Sequence, residues 1–256
     1  MEIYIPTYDR VEKQTTLEYM PQVWRDRTTL VCYKEEAPLH VERGRRVWVM
    51  PEEYGRGIGN KRRFIHENAT DEMVIMFDDD LRFNARRNDD PTKFRDMEPQ
   101  DWDDMFLDMR MVFNAGYIHG AIAVRGGAHM RPEPYLYNNR ALRAHFIHRD
   151  APATYKPEYM QDFTMTLDLL TQGHPNIILN RWVQDQKASN TPGGVSGDRD
   201  LTKLSEAAHT LKARHPKFVS LVQRETVQSW GGAVRTDVRI QWKQAIKWGM
   251  ANAEAE

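Results

Sequence analysis

The sequence predicts an α/β fold, a mixed and mostly parallel central sheet flanked by helices. Three observations predict it. Short apolar runs alternate with helical stretches over the first eighty residues. Met73–Phe77 is apolar at every position, as a strand buried on both faces must be. That run stops abruptly at Asp78-Asp79-Asp80, and the carboxyl end of a strand is where ligands bind such sheets.

The elements follow in order. Glu2–Pro6 alternates Ile3 with Ile5 and closes on proline, a first strand. Glu12–Trp24 is helical, Thr29–Tyr33 is a second strand, and a turn surrounds His40. Val47–Met50 is a third strand before Pro51, and Asn60–Asn68 a helix leading to Met73–Phe77. Phe83–Glu98 is polar and charged and predicts a loop or flap. Pro99–Asn114 carries Trp102, Met105, Phe106, Met109 and Val112 at helical spacing, with its methionines as core filler. Ala121–Val124 predicts a strand, Asp162–Gln172 a helix ending at Gly173, and Asn176–Val183 a strand. Pro192-Gly193-Gly194 marks a loop able to close over a ligand. Leu201, Leu204, Ala208 and Leu211 form a helical stripe; Val238, Ile240 and Trp242 alternate with polar residues as a strand. One domain over residues 1–220 is expected, with 221–256 packed on it, partly through Trp230, Trp242 and Trp248.

Composition excludes several classes. The 256 residues are 40% hydrophobic and 29% charged, an ordinary globular balance. No apolar run approaches the ~18 residues of a membrane span, so no membrane partner is expected. Cys32 is the single cysteine, which rules out an internal disulfide and a cysteine-rich zinc site. The opening residues do not read as a signal peptide, and a cytoplasmic location is expected. A net charge of −1 excludes nucleic-acid binding by bulk charge while leaving room for a local basic patch.

The carboxylate triplet carries the sharpest chemistry. Three adjacent, partly desolvated carboxylates repel one another. Alternation along a strand turns Asp78 and Asp80 one way and Asp79 the other. Two carboxylates facing together suit a hard cation, Mg²⁺ or Mn²⁺. A solvated acidic turn is the alternative. A P-loop nucleotide site is not, because its Gly-x-x-x-x-Gly-Lys sequence is missing. Upstream, Gly55-Arg56-Gly57-Ile58-Gly59-Asn60 turns into a helix that Asn60 is expected to cap, opening with Lys61, Arg62 and Arg63. Cations there oppose the helix dipole by ~0.3–1 kcal/mol each, which points to an anionic partner. After the first strand, Pro6-Thr7-Tyr8-Asp9-Arg10 supplies polar groups suited to a base, ribose or phosphate.

This order resembles the GT-A glycosyltransferases, whose fold binds nucleotide-diphospho-sugars. They carry a Pro-Thr-Tyr-x-Arg-like loop, a Gly-rich turn into a basic helix, and a strand ending in a metal-binding Asp-x-Asp. The match covers roughly residues 1–185, with Asp78-x-Asp80 as the Asp-x-Asp. Within that class Ile5–Arg10 and Thr29–Tyr33 resemble phage enzymes associated with TET/JBP-type pyrimidine hydroxylases. The resemblance implies a metal-dependent, inverting transferase moving a sugar, from a UDP-sugar most often, to 5-hydroxymethyl pyrimidine in DNA. It implies donor contacts at Pro6, Thr7, Tyr8, Arg10, Gly59, Arg62, Asp78 and Asp79, and metal ligands at Asp78 and Asp80. The third ligand is open: a histidine is usual, but Gln184-Asp185-Gln186 stands there, leaving Asp185 or water. Asp162 stands where the acceptor-activating base would sit, with Glu158 in reserve; Asp is also a favoured helix cap. Arg125, Gly126, Arg140, Arg143 and His148 are the candidate acceptor contacts, in a basic stretch that also reads as a solvated helix face. Three other functions remain: a glycan or small-molecule glycosyltransferase, a metal-dependent nuclease, and a non-catalytic DNA-binding protein.

Overall fold

The computed structural model describes residues 1–156, 159–186, 201–225 and 233–253. Pro192-Gly193-Gly194, Trp230 and Glu158 lie outside them.

Strands β1 (Ile3–Pro6), β2 (Thr28–Cys32), β3 (Val47–Val49) and β4 (Met73–Phe77) run parallel, in the spatial order β3-β2-β1-β4. Every residue of β1, β2 and β4 is buried, which explains the unbroken apolar run of β4. Two short helices, α1 (Thr15–Tyr19) and α2 (Gln22–Arg25), replace the single helix expected over Glu12–Trp24, because Pro21 breaks it. Helix α3 (Ala37–Val41) occupies the turn around His40. Helix α4 (Ile58–Asn68) begins two residues before Asn60, on Gly57 at φ 119°; Asn60 lies inside it, donating back to the Arg56 carbonyl at 2.9 Å. Gly55 (φ 74°) and Gly57 thus occupy backbone conformations that a side chain disfavours.

The sheet continues through β9 (Ala144–His148), antiparallel to β4, then β7 (His119–Val124), β10 (Ile177–Gln186), β5 (Leu81–Arg86) and β6 (Phe94–Asp96). A short strand, β8 (Tyr135–Tyr137), also pairs with β10. Strands β5 and β6 correct the loop expected over Phe83–Glu98. Leu81, Phe83 and Ala85 enter the core, and Asn84 and Arg86 are buried as well. Arg86 donates to the carbonyls of Asn180, Ala128 and Arg131, so its charge marks an internal clasp. The basic stretch Asn138–Arg149 is a loop followed by buried β9, not a helix face.

Helix α5 (Pro99–Asn114) opens on a capping box between Glu98 and Asp101 and buries Trp102, Met105, Phe106 and Met109 beneath one face of the sheet. Met111 departs from the expected filler role, at 58% exposed. Helices α4 and α6 (Gln161–Thr171) cover the other face through Phe64, Ile65, Met165 and Leu169.

Helix α7 (Leu201–Arg214), the antiparallel hairpin β11 (Val219–Glu225) and β12 (Val234–Ile240), and α8 (Trp242–Ala253) close the fold. They bury Ala208, Leu211, Phe218, Val238 and Ile246 against Leu167 and Leu170 of α6. Position 220 therefore falls inside β11, and α7 shares its core with the segment that follows. Trp242 starts α8 instead of ending a strand. No described helix is long and apolar enough to cross a membrane.

Candidate active site

The sheet's connections reverse at β1, which has β2 on one side and β4 on the other. Such a switch point opens a crevice at the strands' carboxyl ends. The β1 loop and the carboxylate triplet meet there. Strand β4 ends at Phe77, so the triplet is a turn and not the strand's continuation. Thr16 pins that turn: its hydroxyl donates to the Asp78 carbonyl at 2.5 Å and accepts from the Leu81 N–H at 2.8 Å.

The three carboxylates separate by role. Asp79 is 7% exposed, and both its oxygens are engaged: the Thr7 hydroxyl donates to one at 2.7 Å and Arg10 Nη1 to the other at 2.9 Å. Gln14 Nε2 steadies Thr7 Oγ1 at 2.7 Å. Burial pushes the Asp79 carboxyl up to about 7 despite Arg10. Thr7 and Arg10, expected on the donor, instead tie the β1 loop to the triplet. Asp80 Oδ2 lies 2.7 Å from Arg10 and accepts from Gln186 Nε2. Asp78 Oδ1 pairs with Arg62, the helix-start arginine expected to hold an external anion. Burial raises the Asp78 carboxyl, and Asp80 adds to that. These pairs use one oxygen of Asp78 and one of Asp80, so a cation would find carboxylate oxygens as its donors.

Asp185 does not join this cluster. Neighbouring strand residues face opposite ways, and here Gln186 reaches Asp80. Asp185 lies 3.9 Å from Arg125 instead. Among the described residues no group of three His, Cys, Asp or Glu side chains is arranged to hold a metal, so any cation here draws on two carboxylates and on ligand oxygens.

Beyond Pro6 lies a cluster of aromatic and cationic side chains. Tyr8 meets Tyr33 edge-on at 5.5 Å, and the Tyr33 hydroxyl accepts from the Gly57 N–H at 2.7 Å. Lys61, 2% exposed, donates to the Thr7 carbonyl, with its ammonium 3.7 Å from the Tyr33 ring centre. Burial lowers Lys61 to about 8 against the pull of Glu36. Sequence reasoning gave Lys61 to a solvent-facing anion; its place under two tyrosines depends on β2, which no local pattern reveals. Gly59 sits buried in the first turn of α4.

The acceptor-side residues divide. The Arg143 carbonyl accepts from the Asp78 N–H at 2.9 Å, which brings Arg143 to the triplet. Arg140 Nε donates to Asp162 Oδ2, and its guanidinium lies 3.6 Å from the Phe163 ring centre. Asp162 is 8% exposed in the first turn of α6; Met160 occupies the cap position, so helix capping does not explain Asp162. Arg125 and Gly126 follow β7 at the same sheet edge, where the Arg125 N–H donates to the Gln184 carbonyl at 2.9 Å. His148 does not belong with them. It pairs with Met73 at the other end of β4 and stacks on Phe113. Gln14, Thr16 and Gln186 are the site residues that sequence reasoning missed, since nothing in their spacing shows what they touch.

The family model for TET-Associated Glycosyltransferase matches residues 1–194. The chain belongs to that family. The transferase is 20% identical over 229 residues to the beta-glucosyl-HMC-alpha-glucosyl-transferase of Enterobacteria phage T6, covering 85% of this chain and 82% of the phage enzyme. The phage T2 enzyme of the same name matches at 20% over 230 residues. Glucosyl-3-phosphoglycerate synthase from Mycobacterium tuberculosis, crystallised with Mn²⁺, UDP and glucosyl-3-phosphoglycerate, has the same fold. Its TM-score is 0.52 at 12% identity, covering 94% of this chain and 86% of the synthase. A second structure of that synthase, with Mn²⁺, UDP-glucose and phosphoglyceric acid, gives 0.51 at 13%, covering 95% and 90%. The fold is GT-A, the protein is a glycosyltransferase, and the nuclease and non-catalytic readings are set aside.

Proposed function

We propose that this transferase moves a sugar from a UDP-sugar to a 5-hydroxymethyl pyrimidine in DNA, using a divalent cation. The observation that carries this reading is the meeting of Asp78 and Asp80 with the Tyr8–Tyr33 pair at one switch point, in a chain of this family. The half-buried Tyr8 ring offers a nucleobase an aromatic face, and Pro6 and Gly59 are the further donor contacts. Mn²⁺ or Mg²⁺ between Asp78 and Asp80 would supply positive charge to the departing diphosphate. Arg62 then holds Asp78 in place. The phage relatives' names and the UDP-bound synthase support the donor and the acceptor class.

Arg140 takes Asp162 Oδ2 and so orients the carboxylate. Asp162 Oδ1 receives the proton of the acceptor hydroxyl as that oxygen attacks the sugar's anomeric carbon, and inversion follows. Arg125, Gly126 and Arg143 flank the acceptor. The C-terminal elements from α7 onward pack on α6 and complete the unit that carries the site.

The test is transfer of labelled sugar from UDP-glucose to an oligonucleotide bearing hydroxymethylcytosine, with Mn²⁺, for wild type and Asp162→Asn. A β-linked product that the variant fails to form, while still binding UDP, supports the reading. An α-linked product, the linkage in the phage enzymes' names, removes Asp162 from the role of base. Transfer to a free sugar in place of the oligonucleotide would favour a glycan or small-molecule acceptor.

A further inference from the structure

A cavity of about 430 Å³ lies far along α6 from Asp162, between the ends of α6 and α7 and the side of α8. That volume is in the range of small-ligand sites. Its floor is Asp168, 4% exposed, and its rim carries Arg214, Lys217 and Trp248. Arg214 grips Asp168 through two nitrogens, Nε at 2.7 Å and Nη2 at 2.9 Å, and His215 Nε2 lies 2.9 Å from the same carboxylate. Asp168 is the only acid among the lining residues and is already paired. The cavity therefore presents net positive charge, with Arg214 Nη1 outside the Asp168 grip. Lys217 holds its ammonium 5.1 Å from the Trp248 ring centre. Trp248 is 39% exposed, unusual for so large an apolar side chain, and its ring is tilted against Phe218 at 5.9 Å.

A flat apolar ring beside two cations matches one chemical unit, a base with its phosphate. We propose that this cavity binds a nucleotide of the acceptor strand outside the reacting position, with the phosphate on Arg214 and Lys217 and the base against Trp248. The proposal rests on the reading that the acceptor is DNA. Its geometry agrees with that reading. At 1.5 Å per residue, Asp168 and Gln172 stand about 9 and 15 Å along α6 from Asp162. Helix α6 is buried along most of its length, so a strand must pass around it; at about 3.4 Å per stacked nucleotide it would reach the cavity at least three to four nucleotides from the reacting base. A base that has left its stack to react leaves its neighbours needing a new surface, and an exposed indole supplies one.

The experiment is fluorescence anisotropy of a labelled single-stranded oligonucleotide across a salt series, on wild type, Lys217→Ala and Trp248→Ala. Thermal unfolding and UDP binding check that each variant is folded. Lys217→Ala should lower the slope of log affinity against log salt by about 0.7, one phosphate contact on a single strand. Trp248→Ala should weaken binding roughly 5- to 100-fold and leave the slope alone. Wild-type affinity and slope in both variants would overturn the proposal while the DNA reading stands. No oligonucleotide binding by wild type would sink the DNA reading and this site with it. A dCMP arm separates the sources. Binding of dCMP as tight as the oligonucleotide's, lost in Trp248→Ala, would make this a free-nucleotide site and overturn its assignment to the strand.

Discussion

Asp79 and Asp80 are adjacent and meet the same guanidinium, yet their surroundings assign them different work. Asp79 spends both oxygens on Thr7 and Arg10, binding the loop after β1 to the loop after β4. Asp80 shares Arg10 and Gln186 through a single oxygen. Removing Asp79 leaves the buried Thr7 hydroxyl without its acceptor and takes one of two carboxylates from Arg10 Nη1, which keeps only Asp80. Asp79→Ala should therefore cost about 2–3 kcal/mol, read as a fall in the denaturant midpoint. Removing Asp80 leaves Arg10 still paired with Asp79, so Asp80→Ala should stay within about 1 kcal/mol of wild type. The order inverts for ligand. Wild type should gain about 2.7 kcal/mol with UDP and Mn²⁺ at a hundred times the dissociation constant, and Asp80→Ala should lose that gain. Equal stability losses in the two variants would mean the triplet is not divided into anchor and ligand.

At the scale of elements, α6 and α8 cross with backbone against backbone. A Cβ at Gly249 would stand 2.2 Å from the Leu170 carbonyl oxygen and 2.6 Å from the Gly173 nitrogen, atoms that cannot swing aside. Gly249→Ala must push the helices apart and should cost about 1–3 kcal/mol, measured by thermal unfolding; an unchanged midpoint would show that the crossing yields. Nothing local in the sequence marks Gly249, because its neighbour is 79 residues away. The same limit explains which elements were legible. Strand β4 and helix α5 were read to the residue, since an apolar run and a capped helical stripe are local signals. Strand β5 was misread because Arg82, Asn84 and Arg86 look solvated, although Asn84 bonds Asp96 and Arg86 clasps four carbonyls, that of Pro91 among them. In the candidate site, the place of the triplet after β4 and of Asp162 in the first turn of α6 was legible from local pattern. The turning of Asp185 toward Arg125, and of Gln186 toward Asp80, depends on how β10 pairs with β5.

Across the whole molecule, buried ionisable groups are held neutral in numbers that make acid stability informative. Burial lowers His40 to about 4 and His119 to about 3, and drives His145 well below its ordinary value, with Arg62 and His66 adding to the effect on His145. Neither ring nitrogen of His119 or His145 has a hydrogen-bond partner among the described residues. Below pH 6.5 the unfolded chain takes up protons on these imidazoles and the folded chain does not. Each therefore lowers stability by up to about 1.4 kcal/mol per pH unit as pH falls, until its own folded value is reached. Asp79 opposes them: raised to about 7, it takes up its proton in the folded state first and stabilises the fold as pH falls from 7 towards 4. The net curve mixes both signs, so the decisive quantity is a difference between two proteins. His119→Leu removes one buried imidazole whose nitrogens have nothing to lose, and leaves Asp79 untouched. Its stability, from urea unfolding at intervals between pH 6.5 and 4, should fall more gently than that of wild type by about 1.4 kcal/mol per pH unit. The two curves should diverge steadily as acid is added. Parallel curves would mean that the folded protein admits a proton to His119.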